Sequence, residues 1–489
     1  MNYLIPLIIF TPLLMSFILI TPLIPNEEKI IRRIAKGFAL FHFALTVCFS
    51  IFFDFTQGDF AIETDYNWIN TLGINAIFSF DSLSLLLTIL TSFIFTIALY
   101  ISKSMIRKSH RLYYSLILFL LTAVIGVFSS QDIFLFFLFW ELELIPMYLL
   151  ISKWGSGNKQ KTAMKFLLYT FFGSIFLLIA FLIMYYMNLG INGVLSSTIQ
   201  DIDIYEFPQK IRTLLFILLF IGFGVKLPIF PVHAWLSDTH SQAPTPISVI
   251  LSSILLKLGA FGILKFNLQM FNEEFNLYAK IIMILAIINI VYASICAIVQ
   301  KDLKRIIAYS GIANMGIFLL GISSLNSTGT TGGIFQIFSH ALISAGLFII
   351  TGLIYIKCGT KNILRIQGLG EKMPRLMNVS IPILLASIGI PLFCGFIAEF
   401  LTFTGAFFTE PIVIIALSVL ILSSLYILKI FHRVFFNTPN KKVSDINAKQ
   451  LIILCILALC ILTLGIFPSL LTNIINQYSI ANFNLPGVF

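Results

Sequence analysis

Long apolar runs recur along the whole chain, with short polar segments between them. A helix needs about 20 mostly apolar residues to cross the hydrocarbon core of a membrane, and fourteen runs in the sequence meet this criterion. They are too long and continuous for the strands of a membrane barrel, so the pattern predicts an all-α, polytopic membrane protein. The predicted spans are 3–24, 31–53, 80–101, 111–130, 132–152, 163–188, 212–231, 245–269, 277–299, 303–323, 330–358, 378–404, 412–436 and 449–474.

The composition agrees with this pattern and excludes several classes of protein. Of the 489 residues, 58% are hydrophobic and only 11% are charged, whereas a soluble domain carries about 25% charged residues. A soluble enzyme, a nucleic-acid-binding protein, a disordered chain and a disulfide scaffold are therefore excluded. We expect residues 1–489 to form a single domain embedded in a lipid bilayer.

The basic residues indicate how the chain is oriented. Most of the 31 lysine and arginine residues fall in or beside loops that follow odd-numbered spans. Four follow even-numbered spans, namely Lys210, Arg212, Lys265 and Lys280. Because short basic loops stay on the cytoplasmic side of a membrane, we expect both chain ends on the trans side, which is periplasmic or lumenal.

Two predicted spans are interrupted at matching places. Span 7 contains Lys226, followed by Pro228 and Pro231, and span 12 contains Gly389 and Pro391 shortly before Glu399. Proline removes a backbone donor and breaks a helix. If spans 4–8 (111–269) and 9–13 (277–436) are two five-helix units, the broken spans are equivalent. An odd number of spans in each unit makes the units inverted repeats, as in many transporters.

A few ionisable residues lie near the middle of predicted spans, where they are costly and usually mark ion or proton paths. They are Glu141, Glu143, Lys226, Lys257 and Glu399. Burial favours the neutral form of both residue types, so together they could pass protons. Glu141 and Glu143 are about 200° apart around a helix, so only one of them can face a given partner.

Histidine is the side chain best suited to relay protons near neutral pH, and His340 lies within a predicted span. It could equally be a hydrogen-bonded packing residue. Lys226 could be an interfacial anchor, because a lysine stem can reach several residues to the membrane surface. We place His240 in the loop between spans 7 and 8.

The sequence predicts no cofactor and no metal in this chain. The six cysteines are scattered and form no C-x-x-C pair or Cys/His cluster, which iron–sulfur or zinc sites require. Neither a phosphate-binding loop nor a dinucleotide fingerprint is found in the sequence.

Several motifs resemble those of the antiporter-like subunits of complex I, and within them the chain 4 type of bacteria, cyanobacteria and plastids. The matching stretches are Trp140 to Pro146 with Trp154-Gly155, Val225 to Pro228, Trp235 to Pro244, Leu255 to Lys257, Asp302 to Ser310, Ser339-His340 and Gly395 to Phe400. The resemblance covers about 130 to 400 in order. An acid at 399, rather than lysine, favours chain 4.

The resemblance implies roles for individual residues. Glu141 and Lys226 would form a Glu–Lys pair, Lys257 the central relay lysine and Glu399 the acid on the exit side. His340 would relay protons between lysine and glutamate. Asn314 departs from the family pattern, because many relatives have histidine there, and asparagine cannot titrate.

The main hypothesis is a proton-translocating subunit of an NAD(P)H- or ferredoxin-linked quinone oxidoreductase. Its partners would be neighbouring antiporter-like subunits, with flavin, iron–sulfur clusters and quinone in other subunits and no nucleic acid. The membrane would be a bacterial plasma membrane or a cyanobacterial or plastid thylakoid. The alternatives are a subunit of a multisubunit cation/proton antiporter, which would use the same lysines, and a structural scaffold.

Overall fold

The computed structural model describes residues 4–55, 63–104, 106, 108–193, 195–439 and 443–483. The helices of the first half are α1 (Leu4–Ile20), α2 (Glu28–Ile51), α3 (Ser82–Ile101), α4 (His110–Ser129), α5 (Ile133–Leu142), α6 (Leu144–Trp154), α7 (Lys159–Asn192) and α8 (Gln209–Lys226). A short antiparallel hairpin, β1 (Glu63–Ile69) and β2 (Ile74–Ser79), precedes α3, with Thr64 opposite Phe78.

The second half is helical as well. It consists of α9 (Ala234–Gln242), α10 (Thr245–Met270), α11 (Asn272–Val299), α12 (Leu303–Ser323), α13 (Ser327–Cys358), α14 (Leu369–Lys372), α15 (Pro374–Ile388), α16 (Cys394–Thr409), α17 (Ser418–Phe435), α18 (Ala448–Ile466) and α19 (Ser469–Phe483). Within α10, the stretches Leu251–Leu255 and Ile263–Met270 are wound as π-helix around an α-helical stretch, Leu256–Gly262.

Among the described residues, eleven helices are long and apolar enough to cross a membrane, and three more apolar helices are shorter. The all-α membrane architecture is therefore confirmed, while the count of fourteen spans stays a prediction. The predicted position of both chain ends concerns residues 1–3 and 484–489, which lie outside the described residues.

The starts of two helices show why the chain folds in this way locally. Asp132 caps α5, since its Oδ1 accepts hydrogen bonds from the backbone N–H groups of Phe134 and Leu135 at 2.9 and 3.0 Å. Asp302 caps α12 in the same way through Lys304 and Arg305. An aspartate at this position satisfies backbone donors that a helix leaves open at its start. Both helices therefore begin at defined residues.

Each capping aspartate also contacts a segment that is distant in sequence, through a side-chain hydrogen bond and an isolated β-bridge. The second carboxylate oxygen of Asp132 accepts from the Ser197 hydroxyl, and Asp132 forms an isolated β-bridge with Thr198. The second oxygen of Asp302 accepts from the Ser241 hydroxyl at 3.0 Å, and Asp302 bridges to Asn362. The equivalent contacts of Asp132 and Asp302 agree with the predicted repeat. Its boundaries at 111–269 and 277–436 stay a prediction.

Three interruptions matter for the buried charges. The helix α8 ends at Lys226, ahead of Pro228, and α15 ends at Ile388, where Gly389 adopts a left-handed conformation with φ of 81°. Both predicted breaks are thus present. The third was not predicted: span 5 consists of two helices, α5 and α6, which meet at Glu143.

The chain forms two compact units. The first comprises Met1–Lys226 and Lys257–Leu277, and the second comprises Leu227–Leu256 and Tyr278–Phe489. The first unit contains a cluster of buried aromatic rings, in which Phe136 and Trp140 each pack edge to face against Phe223. In the second unit α13 is the central helix, and its most apolar stretch is completely buried.

The helix α7 is the longest of the described helices, at 34 residues, and much of its surface is exposed. Only 39% of its most apolar stretch is buried inside the protein. Large apolar side chains such as Leu168, Phe172 and Tyr186 are exposed along it. In a membrane protein, such a surface faces lipid or a neighbouring subunit.

Candidate functional site

The first unit contains a buried ion pair between Lys226 and Glu143. Lys226 is the last residue of α8, and its Nζ lies against Oε1 of Glu143 at the junction of α5 and α6. Lys226 is only 3% exposed and Glu143 is completely buried. The ammonium also lies 3.9 Å from the centroid of the Trp140 ring, a distance at which a cation and an aromatic face attract.

The acid in direct contact with Lys226 is thus Glu143, not the predicted Glu141, and the functional role of Glu141 stays a prediction. Successive helical residues are about 100° apart, so Glu141 and Glu143, which are two positions apart, point in different directions. Glu141 instead lines an open apolar groove beside Leu138 and Ile145.

The sequence does contain a signal for this assignment. Trp140 and Met147 lie three residues before and four residues after Glu143, and both are buried. Leu138 and Ile145 lie three residues before and four residues after Glu141, and both are exposed. Residues three and four apart share a helix face, so the large aromatic ring marks the inner face and therefore Glu143.

Lys226 does not act as an interfacial anchor in this structure, because its side chain is buried against Glu143 and Trp140. A buried ion pair contributes little net stability, since desolvation offsets the attraction, but an unpaired charge left behind costs several kcal/mol. Each partner therefore determines whether the other can stay charged.

Lys257 lies in the α-helical stretch of α10 and is completely buried. It belongs to the first unit, at the point where α10 passes from the second unit to the first. The π-helical stretches that flank it are uncommon in proteins and often occur at functional positions. The structure thus places this predicted residue deep inside the protein.

His340 and Glu399 share one cavity in the second unit. This small cavity, of about 10 Å³, lies among α12, α13, α15 and α16. Its polar lining residues are Ser310, Asn314, Gln336, Ser339, His340, Ser344, Ser387 and Glu399. The structure therefore brings together two of the predicted relay residues, separately from the Glu143–Lys226 pair.

Two glycines make room for these side chains. A Cβ atom at Gly389 would lie 2.1 Å from Oε2 of Glu399, and one at Gly311 would lie 3.4 Å from Nε2 of His340. Gly389 also has a positive φ, which favours glycine. The helix break at Gly389 and the position of the Glu399 carboxyl are thus linked directly.

The sequence analysis misplaced two further residues. Lys265, grouped with the trans-side basic residues, is buried within α10 and donates to the Ser130 carbonyl and to Oε1 of Gln131, both at 2.9 Å. There it caps the C-terminal end of α4, where a cation is favourable. His240 lies in the helix α9 rather than in a loop, and its ring stacks on Phe348.

Outside the membrane-spanning helices, Lys361 lies in the loop between α13 and α14. Its ammonium donates to the Ser241 carbonyl and lies 3.9 Å from Asp302. Burial is the main influence on the Lys361 pKa and lowers it, whereas the charge of Asp302 opposes that shift. No group of three or more possible metal ligands occurs among the residues that the structure describes.

Comparison with known proteins identifies the family. The sequence profile of the family described as "NADH:quinone oxidoreductase/Mrp antiporter, TM" matches residues 130–425. The chain belongs to this family. The match includes Glu143, Lys226, Lys257, His340 and Glu399, so the ion pair and the cavity both lie within it. The chain is an integral, multi-pass membrane protein.

Similar proteins extend the match over nearly the whole chain. "NAD(P)H-quinone oxidoreductase chain 4 3" of Trichormus variabilis is 36% identical over 469 residues, which cover 92% of this chain and 86% of that protein. The chloroplastic chain 4 of Chlorokybus atmophyticus is 34% identical, with 96% and 94% covered.

Solved structures show the same fold. A chain of respiratory complex I from Thermus thermophilus aligns with a TM-score of 0.88 at 25% identity and covers 99% of this chain and 100% of its own length. A chain of the Mrp complex from Dietzia sp. also gives 0.88, at 19% identity, with 99% and 98% covered. At that identity, the likeness to the Mrp chain shows the fold alone.

Proposed function

We propose that this chain is the proton-translocating membrane subunit of an NAD(P)H-quinone oxidoreductase complex. The observation that carries the proposal is the Glu143–Lys226 ion pair, which lies buried at the end of a broken helix. Ionisable groups at such places usually serve ion or proton movement. The relatives named chain 4 match over nearly the full length and supply the reaction class.

The ion pair would act as the first switch. While Glu143 and Lys226 are in contact, each stabilises the charge of the other, and the lysine holds its proton. If the two groups separate, desolvation makes the charged lysine unfavourable, so it releases a proton. Opening and closing the pair therefore changes proton affinity without any redox chemistry in this chain.

The cavity around His340 and Glu399 would form the second station. Its polar lining gives a proton somewhere to move between the imidazole and the carboxyl group. Lys257, which is completely buried on α10, would be the central relay lysine. Glu399 would pass the proton to the exit side.

Electron transfer would take place in partner subunits that carry flavin, iron–sulfur clusters and quinone. The exposed apolar face of α7 supports lateral contact with neighbouring membrane subunits or lipid. We further propose that both chain ends lie on the trans side of a bacterial plasma membrane or a thylakoid. A cation/proton antiporter subunit is the less favoured function, because the similarity to the Mrp chain shows only the fold.

The proposal is tested with Lys226→Gln in the assembled complex, reconstituted into vesicles. We expect protons moved per electron to fall at least about tenfold, since a positioned proton-transfer group commonly contributes more than that. Lys280→Gln is the matched control, because Lys280 also pairs with a glutamate, Glu410, at 2.9 Å, but is 65% exposed.

Unchanged proton movement in Lys226→Gln, with the control also unchanged, would overturn the relay. Sodium movement that continues while proton movement is blocked would favour the antiporter function instead.

A further inference from the structure

Asn314 on α12 is fixed by hydrogen bonds within the second unit. Its Nδ2 donates to the Ser310 carbonyl at 2.8 Å and lies 3.4 Å from the Ser310 hydroxyl. A carbonyl can only accept a hydrogen bond, so the nitrogen of the amide must face Ser310. The amide oxygen of Asn314 therefore points the other way.

That oxygen determines the orientation of Gln336 on α13. Nε2 of Gln336 donates to Oδ1 of Asn314 at 2.5 Å. Because Oδ1 can only accept, Gln336 must present its nitrogen there. Its own oxygen, Oε1, is then left buried without a protein hydrogen-bond partner. We call Asn314 and Gln336 the amide clamp.

The Ser310 hydroxyl has an equally defined direction. Tyr426 donates to it at 3.1 Å, and Asn314 approaches it from a second side. A hydroxyl has one proton and two acceptor positions. With donors at both acceptor positions, the proton of Ser310 must be directed to a third partner.

The groups that still need a hydrogen-bond partner belong to residues that line the same cavity. Ser310, Gln336, His340 and Glu399 all line the cavity described above. The Ser310 proton, the Gln336 oxygen and Oε2 of Glu399, which is also buried without a protein hydrogen-bond partner, supply one donor and two acceptors. Buried polar groups are almost always satisfied by protein or by ordered water, and a cavity of about 10 Å³ has the size of a site for a single water molecule.

We propose that the amide clamp binds ordered water in this cavity, and that this water, together with Ser310, carries protons between His340 and Glu399. The amides orient the path but never carry the proton. Each step breaks one bond to hydrogen and forms another, so only His340 and Glu399 change net charge. This inference rests on the proposed function and explains how the path continues with asparagine at 314.

The experiment uses the assembled complex in vesicles, with Asn314→Leu, Gln336→Leu and the double variant. We expect each single change to reduce protons moved per electron at least about tenfold. The double variant should lose no more than either single variant, because residues that act as one unit are not additive. Ser380→Ala is the control: Ser380 is buried on α15 but does not line the cavity, and its hydroxyl donates to the Leu376 carbonyl at 2.6 Å.

Infrared difference spectra separate this role from a purely structural one. The O–H stretching band of bound water should be present in the unmodified complex and in Ser380→Ala, and lost in Asn314→Leu. A water band that persists in Asn314→Leu, or single losses that simply add in the double variant, would overturn the clamp.

Glu399→Gln distinguishes a failure of the amide clamp from a failure of the proposed function. If this variant stops proton movement while Asn314→Leu does not, the amide clamp fails and the proposed function stands. If Glu399→Gln leaves proton movement intact, the proposed function itself fails.

Discussion

Each of the two units buries a glutamate beside a helix break, but the surroundings of the two carboxyl groups differ. Glu143 in the first unit contacts Lys226, whose ammonium lies over the Trp140 ring. Glu399 in the second unit has no ion-pair partner among the described residues and faces a polar cavity. The first arrangement links two charges, so that neither can change alone. The second leaves one acid free to gain or lose a proton with little rearrangement.

The largest effect should come from breaking the ion pair on one side. Lys226→Met leaves the Glu143 carboxylate buried without compensation, which costs about 3–5 kcal/mol. We expect a marked fall in the melting temperature of the assembled complex. The double variant Lys226→Met/Glu143→Gln should recover most of that stability but not proton movement. If the double variant is no more stable than the single one, the pair is not the source of the effect.

The next prediction ranks the two acids of the broken span 5. Glu143→Gln should reduce proton movement more than Glu141→Gln, because only Glu143 contacts Lys226. The two substitutions are chemically identical and two residues apart, so each is the control for the other. Proton uptake by vesicles that contain each variant complex measures the difference. The opposite ranking would restore Glu141 as the functional partner.

Glu399 should separate function from stability. Glu399→Gln should stop proton movement yet change the melting temperature little, since it leaves no opposite charge unpaired. Glu399→Asp keeps an acid and should retain more proton movement than Glu399→Gln. Equal loss in both variants would indicate a packing role for this side chain.

Gly389→Ala should have a moderate effect. The new Cβ would displace the Glu399 carboxyl, and the positive φ adds strain of about 1–3 kcal/mol. Gly359→Ala is the control, because Gly359 also has a positive φ of 70° but has open space around the added carbon. We expect both variants to lose some stability and only Gly389→Ala to lose proton movement. The same proton movement in the two variants would contradict a role for the contact with Glu399.

The smallest effect should come from the exposed ion pair between Lys280 and Glu410. Lys280→Gln should change stability by about 0–1 kcal/mol, because water screens exposed charges. The melting temperature of the complex measures it. A loss comparable to that of Lys226→Met would show that burial is not what distinguishes the two pairs.

Much of the fold could be predicted from the sequence, because apolar runs of membrane length are a strong signal. Lys226-Leu227-Pro228 and Gly389-Ile390-Pro391 also indicated both breaks, since proline cannot continue a helix. The choice between Glu141 and Glu143 could not be made from charge alone. It depended on which helix face packs inward, and on the break between α5 and α6, where Pro146 has no N–H to donate to the carbonyl of Leu142 at the end of α5.

The remaining errors have physical causes too. Lys265 lies near the end of an apolar run, where a lysine is usually solvated, and only the open carbonyl at the end of α4 shows why it is buried. The resemblance alone drew attention to Asn314. Its role depends on Gln336 and Ser310, whose orientations follow from hydrogen bonds that no spacing reveals.

The length of α7 has a consequence for the membrane itself. At about 1.5 Å per residue, its 34 residues extend for about 51 Å, whereas the hydrocarbon core of a bilayer is about 30 Å thick. A helix that long must tilt strongly or project beyond the lipid headgroups. The tilt of α7 therefore depends on the thickness of the bilayer. The acyl chain length of the lipids should in turn influence how neighbouring subunits pack against the exposed side of α7.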